Sequence, residues 1–142
     1  MNNLYDSDFH EWAETQAGLL RNRSSNALDW DNLAEEIEAL ARNERREIGS
    51  RLEVLCQHLL KWQFQREQRS GSWRGSIMEA RNRIADVLED SPTLQPYPAA
   101  RLASAYSRAR EGALAETGLA DLPATSPWTA EQVLDHNFWP DA

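Results

Sequence analysis

The fold is decided by the stretch WDNLAEEIEALARNERREIGSRLEVLCQHLLKWQF, residues Trp30 to Phe64. It contains no proline, and its only glycine is Gly49. Apolar residues recur in it every three or four residues, or at the sum of these steps, as on one face of an α-helix. They are Leu33, Ile37, Leu40, Ile48, Leu52, Leu55, Leu59 and Trp62. The pattern predicts one helix over about 30–64, about 50 Å long, and any kink should lie near Gly49.

The apolar stripe of this helix is expected to be buried along its whole length. Glu35, Glu36 and Arg46 fall on the opposite face and are expected to be exposed. Asp29 is placed to be the N-cap, because its carboxylate can accept a hydrogen bond from the backbone N–H of Asn32.

Shorter helices are predicted around the long one, and capping residues mark their ends. The predicted features are a helix from about Asp8 to Arg21 with Ser7 or Asp6 as N-cap, a helix that follows Gly71 as a stop and Ser72 as its N-cap, a helix from about Ala99 to Glu116 closed by Gly118, and a short C-terminal helix with a capping box of Thr129 and Gln132. Prolines at positions 92, 96 and 98 predict a stiff, extended connection before Ala99. The fold class is therefore an all-α bundle with one long helix, a helical hairpin at Gln65 to Ser72 and a short C-terminal helix. Its length favours a single domain over residues 1–142.

The charge of the chain is unevenly distributed. Its net charge is −8, with two basic and nine acidic residues in 1–38, ten and five in 39–85, and three and nine in 86–142. An acidic chain repels polyanions at long range, which makes nucleic-acid binding unlikely. The start of the chain lacks a signal-peptide pattern, no apolar run suits a membrane span, and Cys56 is the only cysteine. We therefore expect a cytoplasmic protein that does not bind membranes.

The sequence resembles the bacterial domain-of-unknown-function family 29 over nearly its whole length. The blocks that carry the resemblance are LYDSDFHEWAETQAGLLR, ALDWDNLAEEIEALARNERREI, LEVLCQHLLKWQFQ, RSGSWRGSI, LEDSPTLQP and TGLADLPATSPWT. The resemblance implies a small, mostly helical bacterial protein without an assigned activity. It transfers no catalytic residue to this chain.

Four basic residues cluster at the predicted hairpin: Lys61, Arg66, Arg69 and Arg74. Cations near the C-terminus of a helix are favourable against its dipole, which gives this cluster a structural explanation. A partner-binding surface at these residues is the functional alternative, either for another protein or for nucleic acid.

A metal site is a second alternative. His10 and Glu14 lie one helical turn apart, and both would face Glu44 if the first two helices pair antiparallel. The Glu-x-x-His pairs of di-metal helical bundles are missing, so no metal or other cofactor is the preferred prediction.

Nucleophilic catalysis receives little support. Cys56 and His58 point to different sides of a helix, so the sequence predicts a buried, inert cysteine and a structural histidine. The chain is predicted to be a non-catalytic protein-binding or adaptor module that binds another protein or itself. The alternatives are a metal-dependent enzyme and a nucleic-acid binder.

Overall fold

A computed structural model of the chain describes residues 3–141, and its regular secondary structure is helical. Its helices are α1 (Leu4–Ser7), α2 (Phe9–Arg21), α3 (Trp30–Phe64), α4 (Gly71–Asp90), α5 (Tyr97–Thr117) and α6 (Ala130–Leu134), and short 3₁₀ turns lie at Ser25–Ala27, Arg66–Gln68 and Pro92–Leu94. Within residues 3–141 there is no strand. The predicted all-α class is therefore confirmed. None of the helices in this range has the length and apolarity that a membrane crossing requires.

The long helix is confirmed, because α3 runs without a break from Trp30 to Phe64. The single glycine inside it lies beside the Arg101 side chain. A Cβ atom at Gly49 would lie 3.0 Å from Nε of Arg101, which is closer than most side-chain contacts allow. A side chain at position 49 would therefore require the Arg101 side chain to shift by a few tenths of an ångström.

Two predicted N-caps are wrong, each by a small shift. Ser7 and Asp6 belong to the extra helix α1, and α2 is capped by Asp8, whose carboxylate accepts a hydrogen bond from the backbone of Glu11 at 3.0 Å. The N-cap of α4 is Ser70, whose hydroxyl accepts a hydrogen bond from the backbone N–H of Trp73 at 3.2 Å. The predicted cap Ser72 lies inside the helix.

The proline-rich connection is more coiled than predicted. It forms the 3₁₀ turn Pro92–Leu94, and α5 begins at Tyr97 rather than at Ala99. Proline near the first position of a helix has the required φ and loses no hydrogen bond, which explains why these prolines start helical turns instead of preventing them. The caps further on are confirmed: Gly118 is left-handed with φ 69°, and Thr129 and Gln132 form the capping box.

The chain divides into two compact units, Met1–Asn43 and Glu44–Ala142, and α3 contributes residues to both. The second unit contains a large apolar core, built from α3 after residue 44, α4, α5 and the C-terminal segment. The first unit has little core of its own, since among its described residues only Trp12 and Gln16 are buried. The prediction of a single domain over residues 1–142 stays a prediction.

Candidate functional site

An apolar groove lies in the first unit, between α2 and the part of α3 that belongs to this unit. Its volume is about 260 Å³. Its main lining residues are Phe9, Ala13 and Leu20 from α2 and Leu33, Ile37 and Leu40 from α3. We call it the α2–α3 groove.

The groove is open, and large apolar side chains reach solvent in it. Ile37 and Leu40 are each 66% exposed, and Phe9 and Leu20 are each 49% exposed. The prediction that the stripe of α3 is buried along its whole length is therefore wrong for Ile37 and Leu40, and Leu33 is only half-buried. The reason is that, among the described residues of the first unit, the helical elements beside α3 are α2, the four-residue α1 and the 3₁₀ turn Ser25–Ala27, which cover little of the stripe.

The later part of the same stripe behaves as predicted. Ile48, Leu52, Leu55 and Leu59 are fully buried and Trp62 nearly so. The apolar face of α3 is thus covered in the second unit and open in the first.

Polar contacts below the groove hold α2 on α3. The indole N–H of Trp12 donates to the carboxylate of Asp29 at 3.0 Å, and the backbone N–H of Asp29 donates to Gln16 at 2.8 Å. The side-chain amide of Asn32 donates to the same carboxylate at 2.8 Å. These bonds, first that of Asn32 and then that of Trp12, lower the pKa of Asp29. Asp29 lies directly before α3, as predicted, and it is the side-chain amide of Asn32 that donates to its carboxylate. The groove walls are therefore fixed by hydrogen bonds as well as by apolar contact.

The short helix α1 is fixed to α3 by a further polar contact. The hydroxyl of Tyr5 donates to the carboxylate of Glu36 at 2.5 Å, and this bond is the main reason why the pKa of Tyr5 rises to about 12. The Tyr5 ring also packs edge-on against Trp12 at 4.8 Å between centroids. Glu36 is half-buried for this reason, which corrects the prediction of an exposed position, whereas Glu35 and Arg46 are exposed as predicted.

Lys61, the first of the hairpin cations, is a buried residue of the second unit. Its side chain is 6% exposed, and its ammonium group donates to both carboxylate oxygens of Glu116 at 3.1 and 3.2 Å. The same ammonium lies 5.0 Å from the centroid of the Trp73 ring. The hydrogen bond from Lys61, followed by that from Gln57, lowers the pKa of Glu116. These contacts give Lys61 a structural role.

Arg69 and Arg74 meet over aromatic rings near the end of α3. The guanidinium carbon of Arg69 is 4.8 Å from the ring centroid of Trp62, and its Nε donates to the carbonyl oxygen of that residue at 2.7 Å. Arg74 lies 5.2 Å from the same ring and 4.7 Å from that of Trp139. Arg69 thus makes the predicted contact with a helix C-terminus, and Arg66 is exposed in the 3₁₀ turn. Partner binding by these cations stays a prediction.

Arg81 is an important cation that the sequence reasoning missed. It is 1% exposed, and its guanidinium donates to the carbonyl oxygens of Val133 at 2.9 Å and Phe138 at 2.8 Å. Burial lowers its pKa from the ordinary arginine value. A signal was present in the sequence, because Arg81 follows Ile77 by four residues and precedes Ile84 by three, on the apolar face of α4.

The three residues of the metal alternative do not form one cluster. His10 and Glu14 pair with each other at 3.2 Å on the surface of α2, with side chains 84% and 73% exposed. Glu44 belongs to the second unit, where its carboxylate accepts a hydrogen bond from Ser91 at 2.7 Å. Across residues 3–141, no three His, Cys, Asp or Glu side chains converge in an arrangement suited to a metal ion.

Cys56 and His58 have structural environments. Cys56 is fully buried, as predicted, and burial raises the pKa of its thiol to about 12. His58 is half-buried, and its Nδ1 is 2.8 Å from the carbonyl oxygen of Val54. Desolvation is the main reason why the pKa of His58 is lowered. At neutral pH the thiol is therefore protonated and sequestered from solvent.

The fold and these surfaces define a small all-α protein with one long helix whose apolar face is open at one end. A family model described as Domain of unknown function DUF29 matches residues 4–139. The chain belongs to this family, which confirms the resemblance read from the sequence blocks. Searches of curated proteins and of solved structures each found no significant match.

Proposed function

We propose that the chain is a non-catalytic protein-binding module whose contact surface is the α2–α3 groove. The observation that carries this proposal is the adjacent exposure of Ile37 and Leu40, each at 66%. Isolated apolar side chains are common on protein surfaces, but a contiguous groove of them marks interaction sites. Covering this groove with a partner would remove apolar surface from water at roughly 25 cal/mol per Å².

The chemistry of the groove supports binding rather than catalysis. Its lining is apolar except for Gln16 and Glu36, and both side chains already accept hydrogen bonds inside the unit. Glu36 accepts from Tyr5, and Gln16 accepts from the backbone of Asp29. The accessible surface of the groove is therefore apolar, which suits contact with the apolar face of another protein.

The proposal is tested by capture of partners on immobilised protein, comparing the wild type with a groove variant. The groove variant carries Ile37→Ser and Leu40→Ser. The matched control is Val54→Ser, since Val54 is an exposed apolar residue of the same helix in the second unit. All three proteins should have the same far-UV circular dichroism, because the substituted side chains are exposed.

We expect the wild type and the Val54→Ser control to retain the same partner and the groove variant to lose it. Self-association through the groove would appear as a dimer in analytical ultracentrifugation that the groove variant no longer forms. Capture that survives in the groove variant and is lost with Arg66→Glu would contradict the proposal and move the contact surface to the hairpin.

A further inference from the structure

We infer that the partner of the α2–α3 groove is a basic amphipathic helix of another protein. This inference rests on the proposed function and adds the shape and the charge of the occupant. The shape follows from the walls, because on α2 the lining of the groove extends from Phe9 to Leu20. At the helical rise per residue, this separation is about 16 Å along the axis, or about three turns of an occupying helix.

The spacing of the apolar residues also matches a helix. Leu33, Ile37 and Leu40 repeat at four and three residues, so they form a ridge of the kind that packs against another helix. A helix in a groove is recognised through anchors at such spacings. Addition of a strand would need a sheet edge, and residues 3–141 contain no strand.

The charge of the occupant follows from the charge around the groove. The first unit carries three basic and nine acidic residues, a net charge of −6, whereas the second unit carries twelve and fourteen, a net charge of −2. Glu14 on α2 is 73% exposed, pairs with His10 at 3.2 Å and follows the lining residue Ala13 directly. Glu38 on α3 is exposed and follows Ile37 directly. Lysine and arginine residues beside the apolar face of a partner helix would meet these carboxylates.

Electrostatics also decides against a second copy of the chain as the occupant. Two first units in contact would bring together two surfaces of net charge −6. Repulsion between them slows association and weakens the complex, while an opposite charge accelerates association. A basic helix is therefore a better electrostatic match for the groove than the first unit of a second copy of the chain.

The test uses two designed peptides of equal length, each about five helical turns long, with the same leucine face at helical spacing. One carries lysine on both flanks of that face, and the other carries glutamate. Each is titrated into the full chain by isothermal titration calorimetry at about 50 mM and at about 300 mM salt. At the higher salt concentration, the Debye screening length is less than about half of its value at the lower one. We expect the lysine peptide to bind at least tenfold more tightly than the glutamate peptide at low salt, and this preference to shrink at high salt.

Variants separate the apolar contribution from the charge contribution. Ile37→Ser with Leu40→Ser should abolish binding of the lysine peptide, and Val54→Ser should leave it unchanged. Glu14→Gln with Glu38→Gln leaves the lining intact and should weaken the lysine peptide severalfold without weakening the glutamate peptide.

Failure of the charge inference differs from failure of the proposed function. If both peptides bind equally and the groove variant binds neither, the groove is a contact surface but its partner is not selected by basic charge. If neither peptide binds and the chain forms a dimer that the groove variant lacks, the occupant is a second copy. If neither peptide binds and the chain stays monomeric, both the inference and the proposed function are overturned.

Discussion

The substitutions Leu40→Ala and Leu55→Ala make the same chemical change at two points of one helical stripe. Leu55 is fully buried in the second unit, so its truncation removes packed atoms and leaves a cavity. Such substitutions cost about 2–5 kcal/mol. We expect this loss in the free energy of unfolding of Leu55→Ala.

Leu40 is 66% exposed, so only about a third of its side chain leaves water on folding. Complete burial of a leucine contributes about 1.5–3 kcal/mol, and a third of that is about 0.5–1 kcal/mol. No closed cavity remains at an open groove. The two substitutions should therefore differ by about 1–4.5 kcal/mol, with Leu55→Ala the more destabilising.

The assay is urea unfolding followed by circular dichroism, together with amide hydrogen exchange, which reports the two units separately. Val54→Ala is the matched control, because Val54 is adjacent to Leu55 and 39% exposed. A loss for Leu40→Ala as large as that for Leu55→Ala would refute the reasoning. It would mean that Leu40 is covered and the α2–α3 groove is closed.

Three further predictions concern the second unit. Glu116→Gln removes the anion that pairs with the buried Lys61. Because the Glu116 side chain is 52% exposed, the loss of stability should be smaller than for a fully buried ion pair. We expect a cost of about 1–2 kcal/mol, between the values for exposed and for buried ion pairs. Folding lowers the pKa of Glu116, so the contribution of this carboxylate to the free energy of unfolding is complete above the unfolded pKa and is lost as pH falls through the folded pKa. The free energy of unfolding in urea, measured between pH 6 and 3, should therefore depend less on pH in the variant than in the wild type. Arg69→Glu should lower the melting temperature more than Arg66→Glu, because only the former breaks a capping contact, and an equal effect would contradict that role. Cys56 should react with a thiol reagent only after unfolding, and labelling of the native chain at neutral pH would contradict its burial.

The sequence predicts the position of α3 and the apolar face of this helix, because both depend on local features. The absence of proline and the spacing of residues such as Leu52, Leu55 and Leu59 are sufficient for that. The same spacing at Ile37 and Leu40 cannot show that nothing covers them. Periodicity identifies the apolar side of a helix, whereas its coverage depends on how many other elements pack there. The spacing of apolar residues therefore could not predict the α2–α3 groove.

The roles of the charged residues were also only partly predictable. Arg69 near the end of α3 follows from the helix dipole, which is a local effect. Lys61 is buried because of Glu116, which lies 55 residues away in the sequence, and Arg81 is buried because of carbonyl groups 52 and 57 residues away. No local pattern identifies such partners. Buried charges are therefore recognised only once the tertiary contacts are known.

The most direct test of the account is a map of the surface that a basic helix contacts. The lysine peptide is added to the full chain labelled with ¹⁵N, and changes in the assigned amide resonances are recorded. The account predicts that the largest changes lie in α2 and in α3 up to about Leu40, with little change around Arg66 and Arg74. Changes centred on Arg66 and Arg74, with α2 unaffected, would contradict the claim that the α2–α3 groove is the functional surface.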